Sequence, residues 1–144
     1  MNSRQMNRIT MTAHPANLER MIRFVEESAS EAGVGKDHVN EILLACQEAL
    51  ANIVSYAYPR DKGEVEIIPS LMLDPRRLVV QISDAGIAFN PLTWPDPDVT
   101  IPLEERPLGG LGIFLMRRIM DHVRYRRELN RNVLILEKWL EPGI

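Results

Sequence analysis

One cysteine, Cys46, is present in the 144 residues, so the chain cannot form an internal disulfide and has no cysteine-based metal site. Long apolar runs are missing as well: none approaches the ~20 residues that a membrane span requires. The start, Met1-Asn-Ser-Arg-Gln-Met-Asn-Arg8, carries charge with no apolar stretch behind it, which does not read as a secretory signal. A cytoplasmic location is the expectation. Nor is there an excess of positive charge; a net charge of −3 argues against non-specific nucleic-acid binding as the main activity. Repeats and low-complexity tracts are absent. Hydrophobic content of 45% and charged content of 26% are ordinary for a globular protein, and the length suits a single domain, 1–144, with one core.

The longest helical pattern runs from Glu41 to Tyr58. At 100° per residue, Ile42, Ala45, Cys46, Ala49 and Ile53 form one apolar stripe, and Leu43, Leu50, Val54 and Ala57 form another beside it. The remaining side carries a narrow polar stripe of Glu41, Glu48, Asn52 and Ser55, with Glu48 and Asn52 one turn apart and facing the same way. Read alone, such a pair is a solvated face. It acquires another meaning only if the rest of the chain supplies something for it to face.

Ahead of this helix, alternation over residues 9–13 predicts a short edge strand. Pro15 to Ala32 reads as an amphipathic helix opened by proline, closed by Gly33-Val-Gly35. Asp37 is the expected cap of the long helix, and Pro59 its stop. Residues 65–73 and 78–83 read as a hairpin joined by Asp74-Pro-Arg-Arg77, with Asp84-Ala-Gly86 at its end. From Asn90 to Gly112 there are five prolines (91, 95, 97, 102 and 107) and no clear period, and a loop of roughly 20 residues inside a domain is commonly a lid. A short helix over 113–120 and two closing strands follow. Six arginines between Arg117 and Arg131 stand against Asp121 and Glu128; they are solvated positions or a docking surface for an acidic partner. Consecutive antiparallel strands with helices in blocks predict an α+β two-layer sandwich, a mainly antiparallel sheet covered on one face by helices.

Three features then need one account: Glu48 with Asn52, Asp84-x-Gly86 at a strand end, and Gly109-Gly110-Leu-Gly112 opening a helix. Glycines at a helix N-terminus let backbone N–H groups approach a phosphate. An ionised Asp accepts hydrogen bonds only, which suits an exocyclic amino group such as that of adenine. Asn52 offers oxygen to a Mg²⁺ shared with phosphates. Glu48 could accept a proton from an attacking hydroxyl.

In this order the motifs resemble the GHKL family of ATP-binding domains, and within it the anti-sigma-factor serine/threonine protein kinases. Glu48-Ala-Leu-Ala-Asn52-Ile-Val-Ser-Tyr-Ala-Tyr58 is similar to the family's N box, Asp84-Ala-Gly86-Ile-Ala-Phe89-Asn-Pro91 to its first glycine box, and Leu108-Gly109-Gly110-Leu-Gly112 to its second. The resemblance implies that Asn52 holds Mg²⁺, Glu48 is the catalytic base, Asp84 holds adenine with Gly86 allowing close approach, and Gly109, Gly110 and Gly112 line the phosphates of ATP. It also implies an ATP lid at about 92–108, a homodimer, a sigma factor as partner, and a STAS-type anti-sigma-factor antagonist phosphorylated on serine. No direct contact with nucleic acid or membrane is expected. Two departures stand out. Ser55-Tyr56 replaces a more usual polar residue and His at the pocket rim, and the final turn, Asn130-Arg-Asn132, lacks the usual Gly in a hairpin remote from the phosphates.

Other readings remain open on the sequence. The same fold could hold nucleotide or a partner without phosphotransfer. A detached histidine-kinase ATP-binding domain would need a His-bearing dimerisation helix, and His14, His38 and His122 are scattered. A purely structural α+β domain would have no nucleotide affinity.

Overall fold

Alternating apolar side chains at Val65, Ile67 and Leu71, and at Leu78, Val80 and Ile82, form the floor of the core. In this computed structural model, which describes residues 3–93 and 110–141, they lie on β3 (Glu64–Met72) and β4 (Arg77–Asp84), paired antiparallel from Val65↔Asp84 to Met72↔Arg77. β6 (Arg131–Trp139) pairs with the other side of β4, and β5 (His122–Glu128) with β6. On the far side, β1 (Ser3–Gln5) and β2 (Ile9–Thr12) share one flank of β3, along residues 70–72 and 64–67. Pro69 falls in the break between them, where β3 is locally an edge and a missing N–H is tolerated. Every pairing is antiparallel, as expected. β1 was not expected, because Ser3-Arg4-Gln5 has no apolar alternation; its assignment rests on backbone pairing with β3.

The three α-helices among the described residues cover one face of this sheet. Met21 and Val25 of α1 (Leu18–Glu31), Ile42, Cys46 and Leu50 of α2 (Lys36–Tyr56), and Ile113 and Met116 of α3 (Gly110–Ile119) join the strand residues in one cluster. Burial at that depth pushes the Cys46 thiol up to about 12. A 3₁₀ turn at Pro15–Asn17 precedes α1, with His14 Nδ1 accepting from the Ala16 N–H at 3.0 Å. Some helix ends differ from expectation. The cap of α2 is Gly35, and Asp37 lies in the first turn, where its charge complements the helix dipole. α3 begins at Gly110, so Gly110 and Gly112 are inside its first turn and not ahead of it.

Glu41, at the far end of the polar stripe, has a structural role. Its Oε2 lies 3.2 Å from Lys138 Nζ, which also donates to the Ile119 carbonyl at 2.8 Å, and its Oε1 lies 2.9 Å from His38 Nδ1. The buried Lys138 thus closes the C-terminus of α3, where a cation is favoured, and ties it to α2. The hydrogen bond shared with His38 holds the Glu41 carboxyl below its ordinary range; burial opposes it and Lys138 adds to it. A depressed carboxyl contributes stability above its unfolded-state pKa and loses it as pH falls through the folded value. Glu41→Gln should therefore cost on the order of 1 kcal/mol near neutrality, discounted for a half-exposed group. In urea titrations the gap to wild type should narrow as pH falls below the ordinary glutamate range and the carboxyl takes up its proton; a gap that persists unchanged in acid would contradict this role.

Candidate functional site

β4 ends in Asp84, on the helix-facing side of the sheet and only 3% exposed. The carboxylate needs partners there, because burial removes water from it. Its Oδ1 accepts from the Gly86 N–H at 2.9 Å and from Asn132 Nδ2 at 3.0 Å. The segment after it is held from three sides. The Ala57 carbonyl, just past α2, accepts from the Ile87 N–H at 2.9 Å, and Arg127 on β5 donates to the Gly86 carbonyl at 2.8 Å. Tyr58 Oη accepts from the Ala85 N–H at 2.8 Å and donates to the Glu64 carbonyl at 2.6 Å. Burial raises the Tyr58 pKa, the Ala85 bond works against that, and the Asp84 charge adds to it; the phenol remains a donor at neutral pH.

Between this segment and α2 lies a cavity of about 110 Å³. One side is a stripe of α2, Ala49, Asn52, Ile53 and Tyr56, at helical spacing. Ile87, Ala88 and Phe89 form the facing wall, Met116 of α3 and Leu134 of β6 also line it, and Asp84 and Asn132 supply polar groups. An apolar slot with a few convergent polar groups suits a flat heterocycle carrying a hydrogen-bond donor.

Glu48 and Gly112 meet beside this slot. A methyl group built on Gly112 would lie 2.2 Å from Glu48 Oε2, so the carboxylate rests against the first turn of α3. Glu48 and Asn52 are both half-buried, and the reading of the pair as a solvated face fails. Asn52 and Asp84 share the cavity, Glu48 and Gly112 touch, and Gly86 backs the wall, where an added methyl would lie 2.3 Å from the Ala57 carbonyl oxygen. Gly110 starts α3. Gly109 and nearly all of the expected lid, residues 94–108, lie outside the described residues; residues 92 and 93 end a 3₁₀ turn, Pro91–Thr93.

The sequence profile of the histidine kinase-like ATPase domain matches residues 11–138. Serine-protein kinase RsbW of Bacillus mycoides is 32% identical over 111 residues, 74% of this chain and 68% of that protein. Its namesake in Bacillus cereus matches at the same 32% over 111 residues, with the same 74% and 68% covered. The solved RsbU and RsbW domains of Rv1364c from Mycobacterium tuberculosis share the fold, with a TM-score of 0.66 at 15% identity, over 96% of this chain and 34% of that one.

The chain belongs to the histidine-kinase-like ATPase family. Of the residues carried over from the sequence motifs, Asn52 and Asp84 line the apolar slot. Asn132, Tyr58, Arg127 and Tyr125 were not singled out from the sequence. The final turn is formed by Leu129 and Asn130, both at positive φ (51° and 63°), so Asn132 is already on β6 and enters the Asp84 end of the cavity. A signal existed: Asn132 shares its parity with Leu134 and Leu136, and a polar residue at an inward-facing strand position demands a partner. Arg127 likewise shares the inward parity of Val123 and Tyr125.

Gly86→Ala sets a side chain against backbone that is itself hydrogen-bonded, and neither side can yield freely. Overpacking of this kind costs about 1–3 kcal/mol. A lower urea midpoint together with loss of nucleotide binding is the expected result; a variant that melts and binds like wild type would show that the approach to Ala57 is not needed.

Proposed function

We propose that this histidine-kinase-like ATPase is an ATP-dependent serine/threonine protein kinase that doubles as an anti-sigma factor: it binds a sigma factor and phosphorylates a serine on an antagonist protein of STAS type. One observation carries the reading. Asn52 and Asp84 border a single apolar cavity while Glu48, one turn before Asn52, lies against the first turn of α3. The relatives named serine-protein kinase RsbW, 32% identical, support the reaction class, and the likeness to anti-sigma-factor kinases supports the partners and a homodimer.

In this reading adenine occupies the slot, and Asp84 accepts a hydrogen bond from its exocyclic amine. The phosphates lie toward the N-terminus of α3, where Gly110 and Gly112, with Gly109, let backbone N–H groups approach oxygen, and the helix dipole favours negative charge. Mg²⁺ suits this donor set, since it takes few protein oxygens and shares its remaining positions with phosphate and water; Asn52 Oδ1 would hold it. No cluster of three His, Cys, Asp or Glu able to bind a metal without the nucleotide is found among the described residues. The ion would neutralise charge on the phosphates. Glu48 takes the proton of the substrate serine hydroxyl as the serine oxygen bonds to the γ-phosphorus and the bond to the β,γ-bridging oxygen breaks, leaving ADP. The chain's contribution is therefore positioning and a base. Cys46, fully buried with its thiol pushed up to about 12, takes no part.

Phosphorylation of a purified antagonist with labelled ATP tests this. Asn52→Ala should weaken Mg·ATP binding at least tenfold, about 1.4 kcal/mol. Glu48→Ala should bind ATP nearly as wild type yet transfer about 10²- to 10⁴-fold more slowly. Gly112→Ala offers an independent check: the new methyl meets only the movable end of Glu48, and alanine favours the helix by about 1 kcal/mol. It should fold normally and lose transfer, with ATP bound more weakly as well, because the methyl also stands where the phosphates approach the backbone. Serine label absent from wild type while ATP still binds would leave a nucleotide-binding interaction module instead.

A further inference from the structure

Asn132 is 7% exposed and stands opposite Asp84 in the β4–β6 register. Its amide has two N–H donors and one carbonyl oxygen with two lone pairs, and all four are in use. Nδ2 donates to Asp84 Oδ1 at 3.0 Å and to the Ile87 carbonyl at 2.8 Å. Oδ1 accepts from the Phe89 N–H at 3.2 Å and from Tyr125 Oη at 2.5 Å. The reverse orientation of the amide would face its oxygen to the carboxylate and its N–H groups to the Phe89 N–H, so the network admits one orientation. A saturated amide has nothing left for a ligand. Whatever Asn132 does for the site, it does through Asp84 and the 86–89 wall.

Asp84 is in the complementary state. Both of its recorded bonds fall on Oδ1; among the described residues none reaches Oδ2, and the side chain borders the cavity. With Oδ1 held by two donors, the carboxylate plane is fixed and Oδ2 is the oxygen left for a ligand.

We infer that Asn132 is the positioning residue for base selection: by holding Asp84 through Oδ1 and the 87–89 wall through two backbone bonds, it makes the cavity selective for a purine with an amino group at C6. This rests on the nucleotide reading above. A 6-oxo purine presents an acceptor where the amine would stand, and an acceptor facing a fixed carboxylate oxygen is rejected. A carboxylate free to turn away rejects it less. The selectivity of the slot is thus a property of Asn132, although its amide has no donor or acceptor left for the base.

The test compares dissociation constants of Mg·ATP and Mg·ITP for wild type, Asn132→Ala and Tyr125→Phe, alongside their melting temperatures. Wild type should prefer ATP at least tenfold. Asn132→Ala should lose most of that preference, with ATP bound more weakly and ITP bound no more weakly than by wild type. Tyr125→Phe removes one of the four bonds without opening the core and should give a smaller loss in the same direction; it keeps the test decisive if Asn132→Ala does not fold. A purely structural role would lower the melting temperature and weaken both nucleotides alike. Folded variants that retain the wild-type ratio overturn the inference and leave the nucleotide reading standing. Wild type that binds neither nucleotide overturns both.

Discussion

A carboxylate placed at the end of a central strand and shut away from water loses more in solvation than its own fold can ignore. Asp84 is such a group, and much of the neighbouring structure is arranged around it. The Gly86 N–H and the Asn132 amide replace the lost water on one oxygen, and each of these donors needs its own support. Gly86 is held through its carbonyl by Arg127, and Asn132 through its oxygen by Tyr125 and Phe89. Tyr58 and Ala57 fasten the same segment to the end of α2. Strands β4, β5 and β6 and the helix that carries Asn52 therefore converge on a single buried charge. Such a network is stabilising only when its enclosed members are satisfied; every fully enclosed side-chain nitrogen or oxygen among the described residues has a partner, and Asp84 Oδ2 opens on the cavity.

Periodicity made the fold legible. The hairpin of β3 and β4, the two closing strands and the two long helices follow from alternation and from three- and four-residue spacing, because those patterns are set by burial on one side. β1 was not legible, since a strand held by backbone bonds leaves no side-chain signature. Helix starts were misjudged for a related reason. Asp37 is a good cap by type, but the Gly33 to Gly35 turn already sets the entry to α2; Gly110 and Gly112, poor helix formers in isolation, are helical because α3 packs on α2.

The candidate site was legible where its residues fell into motifs and opaque where they acted through partners. Glu48 and Asn52 read as surface until Asp84 and the glycines gave them something to face; both are half-buried, whereas Ser55 of the same stripe is exposed. The roles of Tyr58, at the end of the N-box stretch, and of Arg127 were not legible, because their contributions are bonds to backbone atoms distant in sequence. Glu41 shows the reverse case. It belongs to the same polar stripe as Glu48, yet it serves the far end of α3 through Lys138, so one helix face divides between a site at one end and a structural clamp at the other.

The turn between β5 and β6 carries a requirement that its side chains do not reveal. Leu129 is 89% exposed and sits in a left-handed conformation that disfavours leucine. As a side chain it could be exchanged freely. As a count it could not: the two-residue turn sets the phase of β6, and strand side chains alternate faces with each residue. One residue more or fewer, carried into the strand, would turn Asn132 onto the helix-free face and bring a neighbour inward beside Asp84. Surface loops are ordinarily where insertions and deletions do least harm; in this hairpin the length of the loop is itself part of the architecture of the cavity.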